Sequence, residues 1–170
     1  LSGNGLTYVQ IATQTGLNAR MTLFRAMGAS PSAGAITIDF AGQTQQRCNW
    51  SVVQFDGVDT SGTNGSGAVV QSATNTGTGT SLTVTLAAFG DAANATYGTF
   101  MEGSVALTPG TGFTEIHDLF DATGTPSLQT EWRADNDTTV DASWATSQSA
   151  WGIALEIKAG TTSNPALEIV

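Results

Sequence analysis

The chain's one histidine, His117, lies in Thr114-Glu115-Ile116-His117-Asp118-Leu119-Phe120, with an acid on either side. A histidine beside carboxylates suits general-base chemistry, because its pKa lies near neutrality. Such a base needs a nucleophile, and no Gly-x-Ser-x-Gly elbow is present to supply one. His117 is therefore read as an ordinary strand histidine. Glu102, Glu115, Asp118 and Asp121 are the carboxylates from which a glycosidase pair would be drawn. That chemistry needs two acids at a set separation across a cleft, which spacing in sequence does not define. Asp135, Asn136, Asp137 and Asp141 offer hard oxygens in a D-x-D opening that suits calcium. However, Val140 and Thr146 stand where a calcium loop needs glycine and glutamate, so the segment reads as a solvated acidic turn. Trp132 and Trp144 flank that turn and form a candidate glycan-stacking pair, whereas Trp50 and Trp151 fall on the apolar side of their alternation and are assigned to the core. Cys48 is read as a buried thiol acting as a small apolar side chain. No catalytic set emerges, so the chain is expected not to be an enzyme and to carry no metal or cofactor.

Composition narrows the partners. The chain has 170 residues, room for one domain, and 40% of them are apolar, enough for a core. Only 11% are charged, well below the usual quarter. Fourteen acids face five bases, a net charge of −9. Nucleic acid and anionic membranes both need clustered Lys and Arg, so neither is an expected partner. No apolar run approaches the roughly 18 residues of a spanning helix. One cysteine excludes an internal disulfide, and one histidine excludes a multi-histidine metal site. The chain opens at Leu1 without a basic-then-apolar leader and reads as a mature product or a segment of something longer.

The elements that would position these residues are strands. No stretch sustains apolar spacing at i, i+3, i+4, i+7, whereas period-two alternation recurs. Ile36, Ile38 and Phe40 share one face, and so do Leu82, Val84 and Leu86. Trp151, Ile153, Leu155 and Ile157 share another, with Gly152, Ala154, Glu156 and Lys158 assigned to solvent. Arg47–Val58 is apolar on both faces and predicts a central strand. Further strands are expected at Leu6–Thr15, Ala19–Met27, Ala68–Ala73, Tyr97–Ser104, Thr114–Asp121, Leu128–Ala134 and Thr139–Trp144. Asp59–Gly67 and Thr74–Thr80 are rich in Gly, Ser, Thr and Asn and predict loops, and Asp135–Asp137 predicts a hairpin tip. About ten short antiparallel strands at even spacing predict an all-β sandwich or jelly roll over residues 1–159. Residues 160–170 predict an extended C-terminal arm, in which Pro165 resists regular structure and Ala166, Leu167, Ile169 and Val170 offer an apolar contact to a neighbouring subunit.

The block LFRAMGASPSAGAITIDF…RCNWSVVQFDGVDTSG, over Leu23–Gly62, resembles a jelly-roll module of tailed-phage virion proteins and some bacterial surface proteins. The residues that carry the resemblance are Trp50, Val52, Phe55, Gly57, Val58, Asp59 and Thr60, with Trp151 and Glu156 in the last strand. It covers roughly residues 6–158, and its motifs are core aromatics and turn residues. The resemblance implies a non-enzymatic protein on the virion exterior, a capsid decoration or appendage. Its implied partners are further copies of itself, a trimer suiting three-fold capsid positions, together with the major capsid or another virion protein. Two alternatives stay open. One is a glycan-binding adhesin or tail-fibre module, with a surface glycan as partner. The other is a cell-surface or extracellular-filament protein.

Overall fold

A computed structural model of the chain describes residues 1–16, 19–120, 126–160 and 167–170. These residues form no α-helix and twelve strands: β1 (Ser2–Gly3), β2 (Val9–Gly16), β3 (Ala19–Met27), β4 (Ile36–Thr37), β5 (Val53–Phe55), β6 (Val69–Thr85), β7 (Ala95–Glu102), β8 (Leu107–Pro109), β9 (Thr114–Leu119), β10 (Ser127–Arg133), β11 (Thr139–Ile157) and β12 (Leu167–Ile169). All pairings are antiparallel. One sheet runs β6-β11-β7-β10-β9, with β8 joined to the start of β11; a second runs β2-β3-β12-β5; β1 and β4 make a small ribbon. The first two sheets share a core. Met21, Leu23, Val53, Leu167 and Ile169 from the smaller sheet meet Tyr97, Ile153, Leu155 and Ile157 from the larger. The expected all-β, antiparallel, sandwich-like architecture is present.

Two strands are far longer than their patterns suggest. The regions 68–73 and 82–86 are the two ends of one seventeen-residue strand, β6, and Thr74–Thr80 is strand, not loop. Glycine, asparagine and threonine there signal a turn locally. Pairing decides otherwise, because residues 74–79 lie in register with Gln148–Ile153 of β11. β11 likewise fuses Thr139–Trp144 with the strand through Ile157, and its register against β6 breaks between Ser143 and Gln148. Past that break the hairpin doubles back over its own sheet. Val84 and Val140 lie so close over Gly152 and Gly98 that a Cβ on either glycine would meet them at 2.7 and 2.6 Å. This makes a second core of Leu82, Val84, Phe100, Val140, Ala142 and Trp144. The face of Gly152, Ala154 and Glu156, expected in solvent, is therefore buried.

Three other expectations change. Arg47–Val58 is not a central strand: only Val53–Phe55 is strand, at the rim of the smaller sheet, and residues 41–50 are exposed. Residues 135–137 are not a hairpin tip, because β10 and β11 lie on either side of β7, and the segment crosses its end. There Thr96 Oγ1 donates to Asp135 O and accepts from Asp137 N, each at 2.9 Å. Leu167–Ile169, expected in a free arm, is inserted between β3 and β5, with Leu167 and Ile169 fully buried. Apolar alternation marks a surface that must be covered, and the chain's own sheet covers it. Pro165 and Ala166 lie outside the described residues.

Candidate functional site

β5 and β9 each end a sheet, and the coil residues just before β5 lie beside β9. Between that coil and β9 runs an open groove of about 560 Å³. Trp50, Ser51 and Val52 line one wall, and His117, Leu119 and Phe120 the other. The placement follows from local pattern. His117 and Leu119 are two apart and so share a face of β9, while Trp50 and Ser51 precede the first paired residue, Val53, and are free of the ladder. Two contacts tie the coil down: Asn49 Nδ2 donates to Pro126 O, and Ser51 Oγ lies 2.6 Å from His117 Nδ1. With a proton on Nε2, Nδ1 accepts the Ser51 hydroxyl. Five large apolar side chains are exposed among the described residues, and three of them, Trp50 (58%), Leu119 (39%) and Phe120 (47%), line this groove.

Trp50 and Cys48 thus lie at the surface rather than in the core, because their segment never joins the sheet. Burial pushes the Cys48 thiol above its usual range, so at neutral pH it stays a thiol. Trp151 is buried as expected. The expected pairing of Trp132 with Trp144 does not occur. Trp132 packs edge-on to Phe55 in the inter-sheet core, with ring centroids 6.1 Å apart. Trp144 is buried in the second core, where its Nε1 donates to Gly79 O at 2.8 Å.

The acids serve the fold. Glu102 caps a turn, accepting from Ser104 N (3.1 Å) and Val105 N (2.8 Å). Glu115 is exposed on β9, and Asp121 lies outside the described residues. Asp118 is half-buried, and its carboxyl is pushed up by burial and by Glu115 and Glu102. Arg133 binds both Asp135 and Asp137, which lowers the Asp135 carboxyl by charged hydrogen bonding. Among the described residues no three metal-ligating acids, histidines or cysteines converge.

Two further carboxylates are buried, Glu131, which the sequence does not single out, and Glu156, which its alternation assigns to solvent. Glu156 accepts from Gln71 Nε2 and Asn94 Nδ2, each at 2.6 Å. Glu131 is fully buried and accepts from Gly110 N and Gln129 Nε2 on one oxygen, while its other oxygen has no partner. Burial first, then Asp141 and Glu115, pushes its carboxyl up to about 7. The sequence does not single out Ser51 either. It is 66 positions from His117, and only the fold brings the two together. Compared with protein-family models, curated proteins and solved structures, the chain matches none.

Proposed function

We propose that this protein is a structural component of a virus particle: a jelly-roll capsid decoration or appendage protein on the virion exterior. It works by self-association and by docking on the capsid protein. Assembly, not turnover, is the primary work of this sandwich. The residues shared with the phage module support the reading, but the observation that carries it is β6. That strand lies at the edge of the larger sheet, runs for seventeen residues and holds no charged residue and no proline. A long neutral edge offers unpaired backbone groups to another chain, and monomeric proteins usually blunt such edges with lysine or proline. Val70, exposed on this strand, adds an apolar anchor. The adhesin alternative loses its Trp132–Trp144 platform and is not carried further.

Quantitative peptide mass spectrometry of gradient-purified particles should find many copies per particle. Light scattering should show an oligomer that Ser72→Lys with Thr74→Lys, two exposed β6 positions, converts to monomer. A monomeric wild-type protein absent from particles would overturn the reading.

A further inference from the structure

We propose that Ser51 and His117 form a nucleophile–base pair that cleaves neutral esters of apolar acids in the groove between the 48–52 coil and β9. This is a second activity, independent of assembly, since β6 and β9 are opposite ends of the sheet order. Nucleophilic catalysis by serine needs a base within about 2.6–3.2 Å of the hydroxyl, and Nδ1 of His117 stands 2.6 Å from Ser51 Oγ. Neither residue belongs to a core: Ser51 is half-buried and His117 exposed, so both are open to a substrate.

The flanking Trp50, Leu119 and Phe120 give an apolar acyl or aryl group a surface to cover, which accounts for three large side chains otherwise left in water. The net charge of −9 and the carboxylates of Glu115 and Asp118 beside the histidine disfavour an anionic substrate, and the apolar lining favours an uncharged one. Serine, not Cys48, is the nucleophile, since Ser51 Oγ lies against His117 Nδ1 whereas Cys48 Sγ turns to Asn49 O.

In the first step Ser51 Oγ bonds to the ester carbonyl carbon, and its proton passes to His117 Nδ1. The carbon–alkoxy bond then breaks, and the leaving oxygen takes that proton and departs as the alcohol. Water attacks the acyl-serine, giving a proton to Nδ1. The acid leaves as Ser51 Oγ recovers its proton, so no other reactant is consumed.

The test is covalent trapping with an alkyl fluorophosphonate, together with hydrolysis of p-nitrophenyl butyrate, on the full chain. Peptide mass spectrometry should place the adduct on Ser51, and Ser51→Ala should abolish both readouts. His117→Gln keeps a side chain able to hydrogen-bond Ser51 but cannot take up the proton. It should slow labelling by about 10²-fold or more and remove the rise of labelling rate with pH. Trp50→Ala should slow long-chain probes more than short ones. Melting curves check that each variant is folded. Three results would each overturn the proposal: no adduct on Ser51, labelling unchanged in His117→Gln, or butyrate hydrolysis that survives Ser51→Ala.

Discussion

Glu131 shows how burial sets the behaviour of one side chain. Its carboxyl has one satisfied oxygen and one orphan in a dry layer, with Asp141 and Glu115 adding repulsion. A carboxyl raised from its usual value near 4.5 to about 7 holds its proton more tightly folded than unfolded. Its contribution to stability is therefore complete below about pH 4.5 and is lost as pH rises through about 7. The difference corresponds to about 3 kcal/mol. The melting temperature should fall between pH 5 and pH 8, and Glu131→Gln should flatten that slope; an unchanged slope would assign it to other groups. At this scale the sequence was legible only where alternation reports burial. Trp151, Ile153 and Leu155 were read correctly, whereas Glu131 and Glu156 were not. A glutamate in a strand looks like solvent face until something covers that face. The sequence draws attention to His117 by its chemistry but, with no nucleophile in view, reads it as an ordinary strand histidine; Ser51 is one of 14 serines, told apart only by tertiary placement.

Among elements, β12 is short but central. It fills the slot between β3 and β5, and Val170 exchanges backbone hydrogen bonds with Phe24 at 2.7 and 3.1 Å. Full burial of an aliphatic side chain stabilises by about 1.5–3 kcal/mol, so Leu167 and Ile169 contribute about 3–6 of the 5–15 typical of a domain. Truncation after Gly160 should collapse the cooperative melt followed by circular dichroism. A truncated chain melting like the full one would place this strand outside the folding unit.

Strand β3 was legible to the residue, Ala19–Met27, because it alternates and is bounded clearly. β6 and β11 were each broken in two. Their middle segments carry turn-forming residues, and only a partner 69–79 positions away keeps residues 74–79 extended.

At the scale of the whole molecule, fourteen acids against five bases leave a net negative charge that repels itself. Among the described residues Arg133 pairs with Asp135 and Asp137, and Lys158 Nζ reaches Asp59 at 2.6 Å. Compaction brings like charges together, and salt screens them over a Debye length of about 10 Å at 0.1 M. Raising sodium chloride from low to about 0.5 M should lift the melting temperature by about 2–4 °C, on the order of 1 kcal/mol. A fall would mean that the few ion pairs outweigh the repulsion.

The pairing of Val69 with Ile157, and of Met27 with Leu167, has a consequence for how the chain is made. Both sheets receive a central strand from the C-terminal third: β11 in one, β12 in the other. A nascent chain that has reached residue 138 lacks β11, which joins β6 to β7, and β12, which joins β5 to β3, and contacts of such sequence separation form slowly. Until β11 emerges, β6 has no partner and stands as a long neutral strand beside its sister chains on the same message. The same uncharged edge on which the proposed assembly role rests therefore puts the chain at risk during synthesis, and its yield should depend on how quickly residues 139–170 follow.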